Sequence, residues 1–158
     1  MSKVMKGQVR SIFEKVGGDI GFKKKLSRFY RDCGDLLQII ELRRSQWGAQ
    51  YSIWLGIAIK ELSDERFPPV HRSHVQSNVR YFLDNEGDLD AALNEEDFWR
   101  MAPEDRGEVI KLALTSGIFY FFNVASTLDQ MKCFIMSREY PMLAVKLDAK
   151  QFFKLDND

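Results

Sequence analysis

The sequence predicts one α+β domain over residues 1–158. It has an N-terminal helix, an antiparallel meander of three or four strands, and C-terminal helices packed on one sheet face. Three observations carry this. Apolar residues between positions 26 and 62 occur in short runs, the longest alternating at period two. The connections between those runs are too short for anything but antiparallel neighbours. After Pro103 the apolar spacing turns helical. Strands in one block and helices in the next define the α+β class, and 158 residues suit one core better than two.

In chain order, Met5, Val9, Ile12, Phe13 and Val16 form the apolar stripe of a first helix, with Lys6, Arg10, Glu14 and Lys15 outside it. Gly17-Gly18 is expected to end that helix by entering the left-handed conformation. Strands are expected over Leu26–Arg31, Leu36–Arg43 and Gln50–Leu62, the first two joined by the turn-rich Asp32-Cys33-Gly34-Asp35. In the third, Tyr51, Ile53, Leu55, Ile57 and Ile59 point one way and Ser52, Trp54, Gly56, Ala58 and Lys60 the other. An exposed edge on this strand would offer a route to homo-oligomers.

Pro68-Pro69 makes Ser63–Val70 a loop or extended connection. A fourth strand is expected around Val75–Phe82, an acidic loop or short helical turn over Asp84–Asp97, and a short edge strand at Phe98–Met101. Pro103 suits a first helical position, with Glu104, Asp105 and Glu108 at the positive end of the dipole. Ile118, Phe121, Phe122, Ala125, Leu128 and Met131 stripe one or two further helices, and Met142–Leu155 is expected to be helical after Pro141.

The 23 basic and 23 acidic residues cancel, which disfavours a dedicated nucleic-acid binder. The charge is segregated, however: residues 1–44 hold eleven Lys/Arg against five Asp/Glu. Two cysteines and an N-terminus without an apolar leader point to a reducing, cytoplasmic setting. Gly117–Ala125, the longest apolar run, is too short to span a bilayer, so no membrane partner is expected.

No reaction centre stands out. His71 and His74 lack the third and fourth ligands of a zinc site. Setting Gly87 at the sixth position of a calcium loop puts Phe82 first and Leu93 twelfth, so that register fails. Cys33 sits between Asp32 and Asp35, which disfavour a thiolate. Gly17-Gly18-x-x-Gly21 lacks dinucleotide spacing. No catalytic residue, metal or cofactor is therefore expected. Lys23-Lys24-Lys25, Arg28, Arg31, Arg43 and Arg44, with Tyr30 and Trp47 nearby, form the basic and aromatic counterpart.

The progression Gly21-Phe22-Lys23-Lys24, Phe29-Tyr30-Arg31, Leu37-Gln38-Ile39-Ile40 and Gln46-Trp47-Gly48, followed by an alternating strand, resembles a bacterial family of domains of unknown function, the one numbered four-three-zero-four in that series. The likeness covers roughly residues 12–60. It implies an α+β domain with a meander and carries over no activity or catalytic residue.

The favoured reading is a small cytoplasmic binding or interaction module for another protein, with a partner-neutralising immunity-type protein as its most specific form. Arg31, Arg43, Arg44, Trp47, Trp54 and His71 are the candidate binding residues, since Trp and Arg anchor interfaces. The alternative is an enzyme or small-ligand binder with a pocket between sheet and helices, lined by Arg31, Glu41, Trp54 and His71. Weak nucleic-acid binding ranks third.

Overall fold

The structure, a computed structural model, describes residues 8–84, 86–96, 101–137 and 143–155. Helix α1 (Gln8–Asp19) buries Val9, Phe13, Val16 and Gly17 along one face; Met5 lies outside the described residues. The helix runs through Gly17-Gly18 instead of stopping there. Gly17 is where it crosses the sheet, and a Cβ at that position would sit 2.6 Å from the Phe29 ring. The stop comes later, at Gly21, whose φ of 86° suits glycine. Gly17→Ala is therefore expected to cost about 1–3 kcal/mol by overpacking. Gly18, where an added Cβ would meet nothing within 4 Å, should gain about 0.5–1 kcal/mol as alanine. Urea denaturation of the two variants side by side checks both signs.

The sheet has six strands, not three or four. They are β1 (Lys23–Lys25), β2 (Arg28–Cys33), β3 (Leu36–Arg44), β4 (Tyr51–Ile59), β5 (Val75–Asn78) and β6 (Ala144–Val145). They lie in sequence order, every neighbouring pair antiparallel. The expected first strand is really a hairpin, turned at Leu26-Ser27 with Leu26 at φ 60°. β4 gives way at Ile59 to a 3₁₀ turn, Lys60–Leu62. β5 stops at Asn78, whose side chain accepts the Arg80 N–H at 3.0 Å and opens the 3₁₀ turn Val79–Phe82. Because β4 lies between β3 and β5, the free edge expected for oligomerisation is occupied.

Of the acidic segment expected at 84–97, Glu86–Ala92 forms helix α2, Asp84, Glu95 and Glu96 lie outside that helix, and Asp97 lies outside the described residues. Of the edge strand expected at 98–101, residues 98–100 lie outside the described residues and Met101 is in a bend. Pro103 does begin α3 (Pro103–Gly117), with Glu104 and Asp105 in its first turn. A π turn (Ile118–Phe122), α4 (Leu128–Ser137) and α5 (Leu147–Phe152) follow. The segment expected to be wholly helical at the end thus contributes β6 before α5. No helix among the described residues is long and apolar enough to cross a membrane.

The helices share one core with one face of the sheet, where Ile40, Ile53 and Leu55 meet Phe13, Ile110 and Phe121. The opposite face has a smaller core of Tyr30, Leu37, Ile39, Ala58 and Val70, with Phe67 and Trp54 packed against it. There the cover is the strap of residues 63–72, in which Pro68, Pro69 and Val70 are buried. Burial on both faces explains why β3 is buried continuously from Leu36 to Leu42.

Candidate functional site

The strap face carries a cluster of charged and aromatic side chains that strand alternation selects. Arg28, Glu41 and Trp54 stand side by side across β2, β3 and β4. Glu41 is the hub. Its Oε1 lies 3.0 Å from Arg28 Nε and accepts the Val70 N–H at 3.3 Å, and its Oε2 takes the Arg43 Nε–H. Arg28 also donates to Tyr30 Oη at 3.0 Å, and that hydroxyl lies 3.0 Å from the carbonyls of Phe67 and Pro68. Burial, above all, pushes the Tyr30 phenol up. Burial pulls the Arg28 guanidinium down, but Tyr30 and Glu41 outweigh it and hold it above its ordinary value.

Arg43 lies over the Trp54 ring, 5.1 Å from its centroid, while Trp54 Nε1 donates to Ser52 Oγ at 2.8 Å. The Arg43 Nη2 is buried with no hydrogen-bond acceptor among the described residues. Lys25 and Arg66 stand 5.2 and 5.3 Å from the Phe67 centroid. Cations therefore outnumber carboxylates around Glu41, and three of them, Lys25, Arg43 and Arg66, lie against aromatic faces.

This cluster opens onto one end of the sheet. Since Arg28 pairs with Glu41 in antiparallel register, the Leu26-Ser27 turn and the connection between Arg44 and Tyr51 lie at the same end. Leu26 is 74% exposed and Trp47 87% exposed. The second leg of the longer turn is stitched to the chain after α2. Tyr51 N–H donates to Leu93 O at 2.9 Å, Glu95 N–H to Ala49 O at 3.1 Å, and Asn94 Nδ2 to Gln50 Oε1 at 3.0 Å. Arg106, fully buried, holds that stretch from behind: Nη1 reaches the carbonyls of Ala91, Ala92 and Asn94, and Nε that of Met101, all at 3.0 Å.

Of the sequence candidates, Arg43 and Trp54 are in contact, and Arg44 and Trp47 are exposed at the same end. Arg31 faces the helices. It bonds Gln38 and Asn123 at 2.8 and 3.0 Å and stacks on Phe22 at 5.0 Å. His71 is exposed on the strap. Arg31 therefore lies across the sheet from Glu41 and Trp54, and these four residues do not line one pocket between sheet and helices. Sequence reasoning misses Leu26, which looks like a strand residue, and Arg106, which looks like one more helical charge.

His74 is a structural residue. It is 3% exposed, its Nδ1 accepts the Ile59 N–H at 2.9 Å, and its Nε2 stands 3.6 Å from Asp148. Burial lowers its pKa; Asp148 opposes this and Lys146 adds to it. With the folded value below the unfolded one, the unfolded chain binds the extra proton. Stability is then full above about pH 6.5 and falls as pH drops toward the folded pKa. His74→Asn, which keeps an acceptor for Ile59, should remove that part of the acid dependence in denaturation curves taken across this window. Among the described residues, no three His, Cys, Asp or Glu side chains converge as metal ligands.

Residues 18–112 match the family described as Domain of unknown function (DUF4304). The chain belongs to that family. The DUF4304 match spans β1 to β5 and α2, and it includes Leu26, Glu41, Arg43, Trp47, Trp54 and Arg106. It runs well past the stretch of roughly 12–60 that carries the sequence resemblance, while α4, β6 and α5 lie beyond it. No curated protein and no solved structure matches the chain.

Proposed function

We propose that this domain is a cytoplasmic protein-binding module that engages an acidic surface of its partner through the end of the sheet bearing Leu26 and Trp47. The observation that carries the reading is the near-complete exposure of these two apolar side chains on adjacent turns, bordered by Lys25, Arg43 and Arg44. Trp and Arg anchor interfaces because they bury large area and donate several hydrogen bonds. A basic border speeds encounter with an acidic partner and rejects basic ones. If the module neutralises its partner in the immunity manner, the neutralised protein is the acidic member of the pair.

Nucleic-acid binding is the weaker reading, because the chain's 23 basic and 23 acidic residues cancel, whereas nucleic-acid binders usually carry a basic excess. The test is photo-crosslinking from position 46 in place of exposed Gln46, compared with position 132 in place of exposed Lys132 on α4. A discrete acidic protein should be captured from position 46 only, with yield falling in about 0.5 M salt. Identical products from both positions, or capture of nucleic acid alone, would sink the proposal.

A further inference from the structure

Strand β1 is one edge of the sheet, and its three residues, Lys23, Lys24 and Lys25, are all exposed. The two-residue turn Leu26-Ser27 joins it to β2, and a turn of that length closes on a hydrogen-bonded pair, here Lys25 and Arg28. Alternation makes Lys23 and Tyr30 the next such pair and turns the Lys24 N–H and C=O away from β2. Among the described residues, no other backbone group meets that edge. The side chains alternate too. Lys23 and Lys25 stand on the strap face beside their partners Tyr30 and Arg28, and Lys25 Nζ lies 5.2 Å from the Phe67 centroid. The Arg66 guanidinium lies 5.3 Å from the same ring. Lys24 stands on the helical face, where its Nζ meets Glu14 Oε1 at 3.1 Å. Among the described residues, Lys23, Lys25 and Arg66 form no ion pair.

We propose that the partner adds an acidic, extended segment to β1 as a seventh, antiparallel strand, with carboxylates at positions i and i+2 opposite Lys25 and Lys23. An open edge accepts such a segment through its backbone groups, and alternate side chains set the specificity. Edge lysines ordinarily keep sheets apart, and here they disfavour a β1-to-β1 pairing of two copies, which would set like charges side by side. The same charges attract an acidic strand. The residue between its two carboxylates falls opposite Lys24, whose charge Glu14 already answers, so a third carboxylate there gains little. The edge runs directly into Leu26, which is 74% exposed. This inference rests on the protein-binding reading and gives the acidic partner a backbone form and a charge spacing.

The test titrates three capped peptides into the whole chain by NMR: Thr-Glu-Thr-Glu-Thr, its isomer Thr-Glu-Glu-Thr-Thr, and the first peptide N-methylated at its central threonine. The first should bind saturably with a Kd of about 1 mM or tighter, and within β1 the Lys24 amide should shift most. The isomer can set only one carboxylate on the strap face and should bind at least about threefold more weakly. N-methylation removes the hydrogen bond to the Lys24 carbonyl and should weaken binding about tenfold. The double variant Lys23→Glu with Lys25→Glu, at exposed positions and matched to wild type by melting temperature, should prefer Thr-Lys-Thr-Lys-Thr instead. Equal affinity for the isomer or for the N-methylated peptide overturns the proposal, as does an unchanged preference in the folded double variant. Absence of saturable peptide binding, while an acidic protein is still captured from position 46, overturns the added strand alone. Peptide binding without that capture would support the added strand and count against the surface of Leu26 and Trp47.

Discussion

Arg106→Ala should lower the free energy of unfolding by about 3–5 kcal/mol and the thermal midpoint by roughly 10 °C. The guanidinium is fully buried and serves four backbone carbonyls, those of Ala91, Ala92, Asn94 and Met101. Truncation takes the shared donor from those acceptors, of which that of Ala92 is buried and the others are part-buried, and opens a cavity the size of an arginine stem. Hydrogen bonds to a charged donor are worth about 1.5–3 kcal/mol each but do not add, because the acceptors share one group. Arg106→Lys should recover about half of the loss. Its ammonium can serve the Ala91, Ala92 and Asn94 carbonyls that converge on Nη1, but not Met101 as well. The effect should also reach the sheet end, because Leu93, Asn94 and Glu95 hold the Ala49–Tyr51 leg of the longer turn. Equilibrium denaturation, with amide exchange at Tyr51 as a local probe, would check both parts.

Trp47→Ala should weaken partner binding by about 2 kcal/mol, roughly thirtyfold in Kd, while shifting the melting temperature by no more than about 1–2 °C. The two quantities separate because the Trp47 side chain is 87% exposed, and the bond to Ser45 Oγ at 3.1 Å comes from its backbone N–H, which alanine keeps. Arg43→Ala should behave differently. It removes the guanidinium from Trp54 and one of two arginines from Glu41, so a stability loss of about 1 kcal/mol should accompany the weaker binding. A Trp47→Ala variant that melts much earlier would place Trp47 in the core.

The middle of the fold is legible because its chemistry is repetitive. Strict alternation from Tyr51 to Ile59 and the apolar block at Leu36–Leu42 have only one comfortable solution. Elsewhere the local signs are silent or misleading. Lys23–Lys25 carries no apolar pattern, and a leucine at φ 60° does not announce a turn, so β1 and β2 read as one strand. Gly17-Gly18 has the composition of a helix stop, yet Gly17 is needed where α1 lies against Phe29, a tertiary demand that no local rule contains. β6 is two residues paired across a long separation in sequence.

The candidate site is legible in its residue types but not in its grouping. Arg43, Trp47 and Trp54 stand out as arginine and tryptophan near one hairpin. Placing Glu41 between Arg28 and Trp54 requires the register of three strands. Removing Arg31 from the set requires knowing that it shares its face with Gln38, which is tied to Phe122 O at 2.7 Å. The Pro68-Pro69 segment reads correctly as extended, but nothing local shows that its carbonyls meet Tyr30 across the sheet.

The sheet-end surface is tested most directly by quantitative capture with immobilised wild type and Trp47→Ala, matched for folding by their melting temperatures. The expected result is an acidic protein retained by wild type, depleted by Trp47→Ala and released by salt. Equal retention of the same proteins by wild type and the folded variant would contradict a binding role for this end of the sheet.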